Sequence, residues 1–185
     1  MLPKSEVLRR WKETEPLYLD NGPRRAWIAN IIRSYCPLDG RILELGCNAG
    51  KNLEAIHALG YSHLYGVDIN DAALDAMQAA LPTAIGLHCE LSTILNFEKL
   101  LQFDVVFSLA VLMHIHPDDR DFFKELHKIT KGYLICAEWT KGENDYIKPI
   151  DPKDFEGFDL IRNEPVEGLP DLVGYSLYVF KKKET

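Results

Sequence analysis

The sequence predicts an α/β fold: a mostly parallel β-sheet covered by helices on both faces, with an antiparallel hairpin at one edge. Three observations predict it. Short apolar runs alternate with helix-period patterns between residues 41 and 139, the mark of βαβ units. A glycine-rich turn, Gly46 to Gly50, joins the first of those runs directly to a helical pattern. Two further strand-like runs, 158–163 and 175–181, follow with no convincing helix between them, which favours a hairpin over another crossover.

The elements follow in order. Residues 3–12 and 22–35 carry helical patterns, separated by the Asn21-Gly22-Pro23 punctuation of YLDNGP. Strands are expected at 41–45, 63–68, 84–89, 104–109 and 133–139, and helices at 50–59, 70–80 and 117–130. Asn70 is placed to cap the helix over 70–80, with acids in its first turn and Pro82 just beyond its end. For 117–130, Pro117 suits a first turn, and Asp118, Asp119 and Asp121 favour the positive helix end. Phe122, Leu126 and Ile129 make an apolar stripe there, and Lys128, Lys131 and Gly132 close the helix. An irregular stretch, 140–157, precedes the hairpin. With 185 residues and no repeats, linkers or low-complexity tracts, the chain reads as a single domain. Its N-terminal helical lid segment covers 1–37 and its core 38–185.

Composition narrows the function. A hydrophobic share of 46% and a charged share of 26% exclude disordered and fibrous classes. A net charge of -7 argues against broad non-specific binding to nucleic acid, although residues 1–41 hold eight Lys/Arg against five Asp/Glu. Cys36, Cys47, Cys89 and Cys136 show no CxxC or other metal spacing and read as reduced thiols; no metal site is expected. MLPKSEVLRRW lacks the apolar core of a signal peptide, and no apolar run approaches a membrane span. A soluble, cytoplasmic protein is expected.

The spacing in ILELGCNAGKNLEAI, residues 42–56, decides between glycine loops. A dinucleotide GxGxxG starting at Gly46 needs glycines at 48 and 51, where Asn48 and Lys51 stand. A P-loop needs four residues between its glycines and then Lys-Ser/Thr; here there are three, and Asn52 follows Lys51. What remains is Gly46-x-Asn48-x-Gly50 preceded by an acid, Glu44. Asparagine tolerates left-handed backbone better than most residues, so the turn survives the replacement. LYGVDIN then ends the second strand at Asp68, where an acid can accept both hydroxyls of a ribose. LHCELS ends the third at Glu90, and FDVVFSLAVLMHIHP runs a fourth strand into an apolar turn.

From about residue 38 onward, these four motifs in order resemble the class I, Rossmann-like S-adenosylmethionine (SAM) dependent methyltransferases. The resemblance implies a Rossmann-like three-layer sandwich whose seven-stranded sheet has its last strand antiparallel. It also implies SAM as cofactor and S-adenosylhomocysteine (SAH) as product. Glu44, Gly46, Cys47, Asn48 and Gly50 would surround the methionine part, Asp68 would hold the ribose, and Ile69 and Leu91 would flank the adenine, with Glu90 near its amino group. Backbone around Ser108 would face the methionine amine, and Tyr18 and Asn21 would close over the cofactor from the N-terminal segment. A narrower resemblance, carried by ELGCNAGKNL, VLMHIHP, AEW and part of YLDN, is to the methylases associated with pseudaminic acid biosynthesis. It implies an acceptor among aminosugars or sugar-pathway metabolites.

Methyl transfer is an in-line displacement, and a general base is needed only if the acceptor must lose a proton. The candidates beyond the strand ends are His114, His116, Glu138, Trp139 and Tyr146. His116 is the first choice for touching an acceptor, whereas His114 also reads as a residue that fixes its own turn. Glu138 reads equally as a strand-end acid paired with a neighbouring amine, and Arg24 and Arg25 as a solvated face. The expected function is methyl transfer to an O or N acceptor on a small molecule. The alternatives are an RNA or protein methyltransferase and a non-catalytic SAM-binding regulatory subunit. Oligomeric state is open.

Overall fold

The computed structural model describes residues 2–16, 21–97 and 101–184. Helices α1 (Lys4–Glu13) and α2 (Gly22–Arg33) precede an alternating core: β1 (Ile42–Leu45), α3 (Lys51–His57), β2 (Leu64–Asp68), α4 (Asp71–Ala80), β3 (Ile85–His88) and β4 (Phe103–Leu109). Then come α5 (Phe122–Glu125), β5 (Thr130–Trp139), β6 (Phe158–Pro165) and β7 (Tyr175–Lys182). The strands form one sheet in the order β3-β2-β1-β4-β5-β7-β6. Neighbours from β3 to β5 pair in parallel, and β7 runs antiparallel to both β5 and β6. This is the Rossmann-like α/β sandwich that the sequence predicts, with seven strands and the last one antiparallel.

Burial on both faces explains the unbroken apolar runs. On one face Ile42, Val105, Phe107, Ile135 and Val179 pack with Ile28, Ile32, Leu53, Ile56 and Met77 of α2, α3 and α4. On the other, Leu43, Leu45, Val106, Leu134 and Phe180 pack with Phe122, Phe123, Leu126 and Phe155. That second face is covered by short pieces. The helix expected over 117–130 is broken into a 3-10 turn (Pro117–Asp119), α5 and a second 3-10 turn (Leu126–Lys128). Tertiary hydrogen bonds override the helical pattern there: Arg120 donates to the carbonyls of Ile115 (3.1 Å) and Pro149 (2.9 Å), drawing the chain onto neighbouring segments. A further 3-10 helix, Leu91–Phe97, follows β3, where no element is expected from the sequence.

Glu138, at the end of β5, is 0% exposed and does not line a cleft. Its carboxylate accepts from Ser108 Oγ (2.7 Å) and from the backbone N–H groups of Val111 (3.2 Å), Leu112 (3.1 Å) and Met113 (3.2 Å). Burial raises its pKa, and these donors pull it back. The expected neighbouring amine is therefore replaced by a hydroxyl and a turn of backbone. Glu138→Gln keeps the volume but sets an amide NH2 against N–H donors. An unmade hydrogen bond of this kind costs about 1–3 kcal/mol, so urea unfolding of the variant is expected to show a loss of that order. Unchanged stability would mean that the turn after β4 holds itself.

Candidate active site

Strand order reverses between β1 and β4, and crevices form beyond the carboxyl ends of strands at such a switch point. A cavity of about 360 Å³ lies there. Its walls are residues at or just beyond the ends of four strands: 46–49 at β1, 68–70 at β2, 90–92 at β3 and 109–111 at β4. Val7, Leu8, Trp11 and Thr14 of the α1 region, Arg24 and Arg25 of α2, and Met113–His116 complete it.

The loop after β1 folds as its spacing requires. Gly46 (φ +68°), Asn48 (φ +47°) and Gly50 (φ +70°) are all left-handed. A Cβ on Gly46 would lie 2.6 Å from Val111 Cγ1, so this position excludes side chains on contact as well as on φ. Asn48 offers its own Oδ1 to the Ala49 N–H at 2.6 Å, and its N–H reaches Asp68 Oδ2 at 2.8 Å. Asp68 Oδ1 accepts from Asn70 N at 2.9 Å, so one carboxylate ties the loop after β1 to the turn after β2. Burial raises the Asp68 pKa despite these donors.

Glu44 is buried at the end of β1. Asn52 Nδ2 donates to its Oε1 at 2.6 Å, and its Oε2 is buried with no hydrogen-bond partner. Burial pushes its pKa up to about 8, with the nearby Asp68 charge adding to the rise and Asn52 and Arg24 opposing it. Glu44 is thus protonated over most of the range below pH 8.

The two histidines differ in what their rings offer. His114 Nδ1 lies 3.0 Å from the carbonyl oxygen of Tyr146, which can only accept, so Nδ1 carries the hydrogen and Nε2 keeps its lone pair. Burial lowers the His114 pKa and keeps the ring neutral, and Trp11 packs against it at 4.7 Å between ring centroids. His116 Nδ1 instead accepts from Asp118 N at 3.3 Å, capping the 117–119 turn. The same Nδ1 lies 3.4 Å from Asp118 Oδ2, so this side of the ring is engaged by its own turn.

Of the residues expected at the site, Glu44, Gly46, Cys47, Asn48, Asp68, Ile69, Glu90, Leu91, His114 and His116 line the cavity. Gly50 caps α3 behind the loop, with Met77 Cγ 2.2 Å from where its Cβ would be. Ser108 lies fully buried beneath the β4 turn, donating to Glu138. Tyr18 falls outside the described residues. Asn21 caps α2 and donates to Asp171 Oδ2 at 2.6 Å. Trp139 donates to the Gly142 carbonyl, and Tyr146 lies under the Arg10 guanidinium, both away from the cavity. Arg24 and Arg25, which read as a solvated face in the sequence, line the cavity instead. Their direction is set by tertiary contacts of α2, whose cap Asn21 and whose Arg24 both donate to Asp171 Oδ2 in the Pro170–Leu172 turn.

Residues 43–136, just over half of the chain, match the model of a family described as a methyltransferase domain. The chain belongs to this family. Among solved structures, the methyltransferase resembles magnesium protoporphyrin IX methyltransferase from Synechocystis PCC 6803 with bound SAM, at a TM-score of 0.75 and 15% identity over 99% of each chain. The fold is that of the class I SAM-dependent methyltransferases. In sequence it is 29% identical over 161 residues to the mitochondrial ubiquinone biosynthesis O-methyltransferase of Dictyostelium discoideum, covering 74% of this chain and 50% of that protein. It is 26% identical over 179 residues to the ubiquinone biosynthesis O-methyltransferase of Neisseria meningitidis serogroup C, covering 80% of this chain and 70% of that protein. The methyltransferase thus spans about half the length of the first of these relatives. None of the three is named for pseudaminic acid. Among the described residues, no helix is long and apolar enough to cross a membrane.

The Glu44 shift carries a sign that can be checked. Its folded-state pKa lies above the ordinary 4.5, so this group favours folding most at low pH. The contribution falls by ~1.4 kcal/mol per pH unit between 4.5 and about 8, then levels off. Between pH 6 and pH 8 the ligand-free protein is expected to lose stability that Glu44→Gln does not lose. Parallel pH profiles of the two proteins in thermal unfolding would expose a normally titrating Glu44.

Proposed function

We propose that this methyltransferase binds SAM at the β1–β3 end of the cavity and methylates an oxygen of a small-molecule acceptor, with His114 as general base. The observation that carries the reading is one cavity with two unlike ends. At one end lie the left-handed loop, Glu44 and Asp68; at the other a neutral histidine stands among apolar side chains.

The residues present fit the cofactor. Glu44 offers a buried oxygen without a protein partner, and a cationic amine brought against it favours the ionised carboxylate over the acid. Asp68 has both oxygens in hydrogen bonds to backbone, which fixes the carboxylate where a ribose diol can share it. Ile69 and Leu91 supply apolar walls for a flat base. When bound, SAM supplies an electrophilic methyl group. The protein's own part is to orient the acceptor, exclude water and hold its proton. His114 Nε2 can take a hydroxyl proton as the new bond forms, a role worth about 10²–10⁴-fold in rate.

The acceptor class follows from the far wall. Val7, Leu8, Trp11, Met113 and Ile115 line the same cavity as His114, with Trp11 against its ring, which suits a flat, largely apolar molecule bearing a hydroxyl group. The names of the two sequence relatives support an oxygen acceptor. The aminosugar reading rests on the sequence motifs alone and ranks second in a screen. A net charge of -7 gives little support to an RNA substrate, whose binding draws on Lys and Arg.

SAH at about a hundred times its dissociation constant is expected to add ~2.7 kcal/mol, or roughly 5–10 °C in thermal unfolding. Asp68→Ala should abolish that shift while the ligand-free protein still folds; an equal shift in the variant would remove Asp68 from the ribose site. With phenolic acceptors in the screen, His114→Ala should lose about 100-fold or more in turnover with SAH affinity nearly unchanged. His116→Ala should lose little. The reverse order would make His116 the base.

A further inference from the structure

Helix α1 lies across the cavity, yet it buries only one residue, Val7. Two of its ion pairs, Lys4–Asp119 at 2.5 Å and Lys12–Glu90 at 3.8 Å, involve partly exposed side chains and are screened by salt. The helix also ends with carbonyls that no residue within it can satisfy. Two carbonyls at this end are taken by one group: Asn70 Nδ2 donates to Thr14 O at 2.6 Å and to Trp11 O at 3.3 Å. Asn70 is 6% exposed. Its Oδ1 caps α4 by accepting from Ala73 N at 3.1 Å, and its own N–H is held by Asp68 Oδ1 at 2.9 Å. One side chain therefore joins three things: the acid proposed for the ribose, the start of α4, and the helix that sets Trp11 against His114.

We propose that Asn70 is a positioning residue: its side-chain amide seats α1 over the cavity and carries occupancy of the Asp68 end to the Trp11–His114 wall, where the acceptor binds. The proposal rests on the SAM reading for which end is which. The physical route is short. A ligand shared by the Asp68 carboxylate immobilises the Asp68–Ile69–Asn70 turn, so the Asn70 amide loses less freedom when it holds the Trp11 and Thr14 carbonyls. Ordering at one site lowers the cost of ordering at the other. Trp11 is then delivered to His114 by the cofactor end of the site, so that the acceptor wall is complete chiefly when the donor is in place.

Asn70→Asp separates the latch from the cap. It has the same shape and keeps an oxygen for Ala73 N, but it turns an oxygen instead of NH2 toward two carbonyl oxygens. Asn70→Ser also keeps the cap and is too short to reach α1. Hydrogen exchange of the full chain, read by mass spectrometry with and without SAH, tests both halves. Without ligand, α1 amides are expected to exchange about tenfold faster in both variants, the effect of losing one good hydrogen bond, while α4 and the sheet stay as in the wild type. With SAH, the wild type should gain protection in residues 46–50 and in α1 together. The variants should gain it in 46–50 only, a loss of transmission that a merely structural asparagine would not produce. Wild-type exchange of α1 in both variants, or α1 protection by SAH persisting in Asn70→Asp, would overturn the proposal. If SAH protects neither segment of the wild type, the SAM reading fails and the transmission with it. The ligand-free comparison then still decides whether Asn70 seats α1.

Discussion

A carboxylate buried under the turn that follows β4 is the interaction on which the site's geometry rests. Burying a charged carboxylate costs several kcal/mol unless it is well bonded, and Glu138 meets that condition with four donors from β4 and its turn. Three of the donors are consecutive backbone amides, so the turn cannot unwind without exposing the acid's need for partners. Ala110, just before them, is held at φ +62°, a left-handed conformation that costs a non-glycine residue roughly 1–2 kcal/mol. Its N–H is fixed to the Ala137 carbonyl. The strained residue and the buried acid are neighbours through the sheet register: β4 ends at Leu109 opposite Ala137, and β5 runs on to place Glu138 under the turn. From this platform Val111 packs against Gly46, and His114 is carried to the far wall.

One physical cause runs through the ionisable groups of the cavity. Burial raises Glu44 and Asp68 and lowers His114, in each case favouring the neutral form. Groups whose neutral forms burial favours respond most to charge that arrives with a ligand. Arg24 takes part in the same balance, being anchored to Asp171 at 3.2 Å while it offsets the rise at Glu44.

What was legible in the sequence was local, and what was missed was held at a distance. The turn at Gly46, Asn48 and Gly50, the acid at Asp68 and the cap at Asn70 are each decided within a few residues of their neighbours, and spacing alone places them. The central strands were legible for a similar reason, since β1, β2 and β4, buried on both faces, leave continuous apolar runs, whereas the edge strands β3 and β6 are largely exposed. The break in 117–130 was not, because Arg120 finds its acceptors at Ile115 and Pro149, and the latter lies 29 residues away. The contrast between His114 and His116 was hidden in the same way. Tyr146, which sets the His114 tautomer, is 32 residues removed, whereas the partner of His116 is two residues away. Glu138 looked like a site residue because it ends a strand; its partners at Ser108 and the following turn made it a structural one. Arg24 and Arg25 carry no pattern that tells which way α2 will face once its apolar side has found Leu53 and Ile56.

The placement of β7 between β5 and β6 has a bearing on how the chain assembles as it is made. β6 is synthesised first, yet among the described residues its one neighbour in the sheet is β7. Until residues 175–182 have emerged, β5 is an open edge and β6 has nothing to pair with. Translation therefore presents β1 to β5 before the strand that joins β6 to the sheet has been made. The nascent protein completes its first five strands while a reactive edge at Tyr133–Trp139 waits for a segment some forty residues further along the message.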